Sequence, residues 1–318
     1  MVVPEQVLTN ADLEKMVDTS DEWIRTRTGI VERRIAGPEE YTSTLATSAG
    51  RAAMERAGVS PDEVDLVIVA TCTPDCPIPS TACVVQAQLG LPRAGAFDVV
   101  AACSGFVYGM SVATSMIRGG GHQTILLIAA DLLTRAVNWK DRNTCILFGD
   151  GAGAVVLQAT EEPFGLLSSV LRSDGEHEGL MIVEAGGTRL PITHDLIEED
   201  RHCVVMQGRE VFKYAVRGLV ESSHQAIADA GLTMDDIRLV VPHQANFRII
   251  DALIKRLELP PERVVVNIER YGNTSGASVP IALNEAAEAG RLYKGDYVLL
   301  TAFGAGFAWA SAVVRWGH

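Results

Sequence analysis

Apolar residues along this chain gather in short unbroken runs rather than in strict alternation, and amphipathic stretches separate the runs. Leu66 to Ala70 is one such run, preceded by a helix-like stretch and an Ala-Gly turn. Strands of Val, Ile and Leu without polar members, alternating with helices, predict an α/β chain with mostly parallel sheets buried on both faces. The pattern also repeats. Ala57-Gly58-Val59-Ser60-Pro61-Asp62-Glu63-Val64-Asp65-Leu66-Val67-Ile68 returns 173 positions later as Ala230-Gly231-Leu232-Thr233-Met234-Asp235-Asp236-Ile237-Arg238-Leu239-Val240-Val241. Leu89-Gly90-Leu91-Pro92 is echoed by Leu257-Glu258-Leu259-Pro260, Gly121 to Ala130 by Gly295 to Gly304, and Phe148-Gly149-Asp150-Gly151 by Phe303-Gly304-Ala305-Gly306. Four matches in one order indicate a duplication, with an N-terminal half over residues 1–160 and a C-terminal half over 161–318.

Each half closes on two further apolar runs, Ile125 to Ala130 with Gly153 to Leu157, and Val298 to Ala302 with Ala308 to Val314. These read as paired strands around a glycine turn. The pairing decides the reading of Tyr297 to Val314, 18 residues without a formal charge and about long enough for a membrane span. Gly304 and Gly306 interrupt that run and its counterpart contains Asp131 and Asp150, so two buried strands are expected. One position lacks a match. The second half opens with an apolar strand, Gly165 to Leu171, where the first offers only Met1 to Val3. A central parallel strand missing from a duplicated sheet would expose ladder groups, so other segments, or residues upstream of Met1, are expected to cover the gap.

Composition narrows the function. A chain of 318 residues with 47% hydrophobic residues is no disordered tail. Its formal charge of −13 opposes broad contact with nucleic acid. The six cysteines form no CxxC pair and the seven histidines no HExxH, which argues against a zinc site or a disulfide framework. Met1-Val2-Val3-Pro4-Glu5 has neither a basic nor an apolar leader region, so a cytoplasmic protein with free thiols is expected.

Three segments carry candidate chemistry. Phe97 to Gly105 runs from an apolar strand into a helix start at Cys103, where the helix dipole is expected to lower the thiol pKa and favour a nucleophilic thiolate. An inert buried cysteine is the competing reading. Pro242-His243-Gln244-Ala245-Asn246 follows the repeated strand, so its polar groups are expected to face the crevice at the strands' carboxyl ends. There His243 is either a donor to a developing enolate oxygen or a satisfied structural histidine. Tyr271-Gly272-Asn273-Thr274-Ser275-Gly276 occupies in the second half the place of Ala102 to Gly105, and is otherwise an ordinary helix N-cap. The duplication sets Cys103 and Asn273 at matching helix starts, with His243 at a neighbouring strand end.

Cys103, Pro242 to Asn246 and Gly272 to Ser275 together resemble the β-ketoacyl-acyl-carrier-protein synthase III family, the chain-initiating condensing enzymes of the thiolase-like fold. The likeness spans nearly the whole chain, from Thr19-Ser20-Asp21-Glu22-Trp23-Ile24 to Phe303-Gly304-Ala305-Gly306-Phe307. It implies a five-layer αβαβα arrangement of two mixed, mostly parallel sheets, and a homodimer. It also implies that Cys103 takes an acyl group from acyl-CoA, with the amides of Cys103 and Ala305 as oxyanion hole. His243 and Asn273 then stabilise the enolate from decarboxylating malonyl-carrier, and no metal or redox cofactor takes part. Trp23 and Arg142 would sandwich the adenine, with Arg27, Thr28, Gly208, Phe212, Ala245 and Asn246 along the pantetheine tunnel. Thiolases would need a second cysteine near the C-terminus, yet none follows Cys203; elongating ketosynthases carry His where this chain has Asn273. The family often has Gly at Ala305, a change a backbone donor tolerates. A condensing enzyme of specialised polyketide or lipid synthesis, and a non-catalytic thiolase-fold subunit, are the alternatives.

Two further expectations follow. In Phe247 to Leu257, Ile250, Leu253, Ile254 and Leu257 keep helical spacing and leave Arg248, Lys255 and Arg256 on other faces, a basic patch for an acidic carrier that Lys213 extends. The alternative is a solvated face. In Cys72 to Ser80 three prolines make a stiff loop. The family's corresponding loop closes the partner subunit's acyl pocket, often with Phe where Ile78 stands, so a deeper pocket is expected.

Overall fold

The computed structural model describes residues 1–317. Two four-stranded sheets form its frame. Leu66–Ala70 (β1), Gly95–Val99 (β2), Thr124–Leu132 (β3) and Asp150–Gln158 (β4) lie in the order β2-β1-β3-β4. Gly165–Ser173 (β5), Ile237–Pro242 (β6), Tyr297–Gly304 (β7) and Ala308–Arg315 (β8) lie in the order β6-β7-β8-β5. β1 is parallel to β2 and β3, and β6 to β7. The antiparallel pairings gather on the other side, β3 with β4, and β8 with both β7 and β5.

Side chains alternate along each strand, so each sheet needs cover on both faces. Helices Asp21–Thr28 (α1), Thr42–Ala57 (α2), Thr81–Leu89 (α3), Gly105–Arg118 (α4), Gly208–Asp229 (α5), Phe247–Arg256 (α6) and Ser278–Glu288 (α7) frame this arrangement. Leu66, Ile68 and Ala70 of β1 share a core with Phe106 and Met110 of α4 and Val279 and Leu283 of α7, and Leu239, Val241 and Leu300 enter the same core from the second sheet. Val67 and Val69 face the other way, onto Ala46 and Ala49 of α2 and Val85 of α3. Val240, Leu299 and Val313 likewise pack on α5 and α6. The layers are therefore α2/α3, sheet, α4/α7, sheet, α5/α6, and double-sided burial is why the strands carry no polar alternation.

Tyr297 to Val314 forms the antiparallel pair β7 and β8, and among the described residues no helix is long and apolar enough to cross a membrane. Between β7 and β8 the chain turns through Gly306, whose φ of 72° favours glycine. The matching pair β3 and β4 is joined differently, by residues 133–149, a long excursion that carries Arg142. The unmatched strand is also corrected. β5 is antiparallel to β8 and lies at the sheet edge, so its counterpart would be an edge strand, not a central parallel one. Val2 takes part of that place, exchanging two hydrogen bonds of 2.8 Å with Ala152 of β4. Beyond it a groove of about 680 Å³ runs past Val155, Leu157, Leu283 and Trp316.

Candidate active site

Cys103 sits in a single 3-10 turn, Ala102–Ser104, that leads from β2 into α4. A matching turn, Ser275–Ala277, leads into α7. Ala102 and Ser275 open these turns with φ of 44° and 51°, a strained left-handed conformation for residues with a Cβ. They are 173 positions apart, the spacing of the repeat, so the counterpart of Cys103 is Gly276 rather than Asn273. A Cβ on Gly276 would lie 3.1 Å from Ala102 O, a tight contact between the two turns.

The two turns meet at Cys103. Ser275 Oγ lies 3.6 Å from Cys103 Sγ, while the Ser275 amide donates to Asn273 Oδ1 at 2.9 Å. With its carbonyl oxygen so engaged, Asn273 has its amide nitrogen free to donate. The Asn273 backbone is locked between Leu147 and Gly149, donating to Leu147 O at 2.8 Å and accepting from Gly149 N at 3.0 Å. This explains the Phe148-Gly149 motif: a Cβ on Gly149 would fall 2.3 Å from Tyr271 O, and only glycine lets the two halves approach there.

His243 follows the last residue of β6 and is buried. Its amide donates to Thr301 O of β7 at 2.8 Å, and its Nδ1 lies 2.6 Å from Ser278 Oγ. Ser278 stands three residues after Ser275, and Thr301 three before Gly304, whose own Cβ would lie 2.7 Å from Cys103 N. Cys103, His243 and Asn273 are thus gathered by two short segments, Ser275–Ser278 and Thr301–Gly304. Gly304 lets β7 run against the Cys103 backbone, with Ala305 next in the chain.

The electrostatics correct one expectation. Cys103 is only 6% exposed, and burial pushes its thiol up to about 12, with the Asp131 carboxylate adding to the rise and the Ser275 hydroxyl opposing it. A helix start favours a lowered thiol pKa; at Cys103 desolvation outweighs it, and the thiol is neutral. Burial also lowers His243 to about 3, so its imidazole is neutral. Asp131, missed in the sequence, is fully buried at the end of β3. It accepts from Cys72 N, Gly276 N and the hydroxyls of Thr71 and Thr73 at 2.8–3.2 Å, tying the Cys72 loop to the Ser275–Ala277 turn. Its signal was a lone acid inside an apolar run.

The outlying residues divide. Trp23, on α1 and half-buried, has the guanidinium carbons of Arg142 and Arg27 at 5.1 and 5.6 Å from its ring centroid. Arg142 and Arg27 thus both lie within cation–π reach of Trp23. Thr28 is buried, and its hydroxyl donates to Ile24 O at 2.7 Å and accepts from Ile30 N at 3.0 Å, so its proton is committed within the fold. Asn246 caps α6 through Arg248 N at 2.9 Å, and Arg248 lies over Phe212 of α5, 5.9 Å from the ring centroid. Ala245 is half-buried, and Gly208 is exposed at the start of α5. Between α5 and α6 a cavity of about 490 Å³ is lined by Phe212, Lys213, Arg217 and Arg256. Lys213 and Lys255 pair with Glu210 and Asp251 at 2.8 and 2.7 Å, whereas Arg217, Arg248 and Arg256 form no ion pair among the described residues. Arg217, one turn beyond Lys213 on α5, was absent from the sequence patch and joins it at this cavity. Ile78 is 87% exposed on its loop.

Comparison with known proteins agrees with this geometry. Residues 97–175 match the 3-oxoacyl-[acyl-carrier-protein (ACP)] synthase III family and residues 227–316 its C-terminal family. The β-ketoacyl-[acyl-carrier-protein] synthase III of Roseiflexus sp. (strain RS-1) is 66% identical over 99% of this chain and 96% of its own length. The chain belongs to the β-ketoacyl-acyl-carrier-protein synthase III family. It is accordingly a condensing acyltransferase of fatty-acid synthesis with the thiolase fold. The crystal structures of family members from Thermus thermophilus and Aquifex aeolicus superpose with TM-scores of 0.93 and 0.91 at 49% and 47% identity, each covering 99% of this chain and 97% of the other.

Proposed function

We propose that this synthase III joins an acyl-CoA primer to malonyl-carrier through an acyl-Cys103 intermediate, as a cytoplasmic enzyme that needs no metal or redox cofactor. Cys103 attacks the thioester carbonyl, whose oxyanion lies between the amides of Cys103 and Ala305, and CoA leaves as the thiol. His243 Nε2 and Asn273 Nδ2 then hold the carbonyl oxygen of malonyl-carrier. Loss of CO2 leaves an enolate that attacks acyl-Cys103, releasing β-ketoacyl-carrier and the Cys103 thiolate, which takes a proton from solvent to restore the thiol. The observation that carries this reading is the double engagement of Ser275, which touches Cys103 and turns the Asn273 amide nitrogen outward. Intact-mass detection of acyl-enzyme across a panel of acyl-CoAs, followed by turnover with malonyl-carrier, tests it; a chain that never acylates is a non-catalytic subunit.

Trp23 and Arg142 take the adenine, and Phe212, Ala245, Asn246, Gly208, Arg27 and the Thr28 methyl line the pantetheine path. Residues 1–160 and 161–318 act as the two halves of one site. Arg248, Arg256 and Arg217, free of internal ion pairs, supply the attraction for an acidic carrier, with Lys213 and Lys255 at the rim. Arg248→Glu is expected to raise KM for malonyl-carrier about tenfold and to leave acylation by acyl-CoA unchanged. Equal losses in both half-reactions would count against docking.

A homodimer fits the free edge of the first sheet. Among the described residues β2 has no partner on its outer side, and Val100 beside it is 77% exposed, an apolar margin that a second copy would cover. Ile78 would then reach the partner's acyl pocket. Each buried methylene is worth about 0.8 kcal/mol, so a pocket deeper by two or three carbons favours longer or branched primers by tenfold or more. Butyryl- or isobutyryl-CoA is expected to match or exceed acetyl-CoA in kcat/KM, and Ile78→Phe to reverse the order. An acetyl preference unmoved by Ile78→Phe would defeat the pocket reading.

A further inference from the structure

Ser278 opens α7 and is 2% exposed. Its Oγ lies 2.6 Å from His243 Nδ1 and accepts the amide N–H of Gln244 at 3.2 Å. Gln244 is itself fixed at both ends of its side chain: Nε2 donates to Pro242 O and Val265 O, and Oε1 accepts from Asn267 N. Its backbone N–H is therefore held on Ser278, and one lone pair of the hydroxyl is taken. A hydroxyl has a single proton to give. Among the described residues this hydroxyl bonds only to His243 and Gln244, so Nδ1 is the acceptor available to that proton. The opposite arrangement, Nδ1–H donating to Ser278, would strand a buried hydroxyl proton. Burial keeps the imidazole neutral, with one ring proton to place.

We infer that Ser278 is a positioning residue that donates to Nδ1 of His243, sets the ring's proton on Nε2 and so makes His243 a hydrogen-bond donor toward an enolate oxygen. Gln244 becomes the group that orients the orienter, which explains a buried glutamine in the Pro242 to Asn246 segment. The inference rests on the proposed role of His243 in the condensation half-reaction.

Nitrogen-15 NMR of the intact protein labelled at histidine, with His243 assigned by comparison with His243→Gln, reads the tautomer directly. The expected spectrum has Nε2 protonated and Nδ1 as a bare acceptor, and a protonated Nδ1 would overturn the inference. Ser278→Ala is expected to lower malonyl-carrier decarboxylation about 100-fold while acylation of Cys103 stays within about twofold, with Ser278→Thr restoring most of the loss. Decarboxylation by Ser278→Ala near the unsubstituted rate, alongside its loss in His243→Ala, would remove Ser278 from the mechanism and leave His243 in place. Full decarboxylation by His243→Ala would instead remove the role of His243 itself.

Discussion

Cys103→Ser is expected to form no acyl-enzyme from any acyl-CoA, whereas His243→Ala and Asn273→Ala acylate and then stop, with malonyl-carrier intact. The division follows from what each group touches. Cys103 has the attacking atom and lies against Gly304 and Ser275, so serine fits the space but its hydroxyl is a far weaker nucleophile. His243 and Asn273 present neutral donors that gain strength only as charge develops on an enolate oxygen. Removing one such donor typically costs about 10²–10³ in rate, roughly 2.7–4 kcal/mol. Asn273→Ala also leaves the Ser275 amide without its acceptor and loosens the turn beside Cys103, so its acylation is expected to slow a few-fold. Intact-mass spectrometry follows the first half-reaction and CO2 release the second. Acylation blocked in His243→Ala as fully as in Cys103→Ser, with decarboxylation intact, would show the roles wrongly assigned.

Much of this was legible in the sequence because the duplication gives two readings of one pattern. Strands with both faces buried left unbroken apolar runs, and matching segments recur in the same order in both halves, offset by 155 to 174 positions. Pairing direction was not written there: β5 and β8 have the same Val and Leu content as β6 and β7, yet they run antiparallel, since composition reports burial and not direction. Cys103, His243 and Asn273 stood out through a family likeness across separated segments, while the groups that aim them did not. Ser278 and Asp131 act through contacts with residues distant in sequence, and a serine at a helix start looks like any cap. The thiol pKa failed for a related reason. A helix start is visible in a chain, but the burial that dominates the Cys103 thiol comes from β7 and Ser275, about 170 to 200 residues away.

The second large effect is expected from Gly304→Ala, which changes no polar group. Gly304 is extended, with φ −150° and ψ −173°, a conformation alanine adopts freely, so the glycine is there for space. The added Cβ would lie 2.7 Å from Cys103 N, 3.0 Å from Cys103 Cβ and 3.2 Å from Cys103 Cα, all rigid atoms of the nucleophile itself. Either β7 or the Ala102–Ser104 turn must shift by several tenths of an ångström, at an overpacking cost of about 1–3 kcal/mol. A displacement approaching 1 Å at the reacting atom costs about 100-fold in rate, and the oxyanion donors move with it. Gly306→Ala separates this from a general dislike of substitution in the β7–β8 turn. Gly306 has φ 72° with nothing within 4 Å of its added Cβ, so alanine there meets conformational strain of about 1–2 kcal/mol and no contact with Cys103. Comparable losses of Tm are therefore expected from the two variants, but acylation of Cys103 should fall about 100-fold only in Gly304→Ala. Gly304→Ala acylating at the unsubstituted rate would mean that β7 does not hold the nucleophile in place.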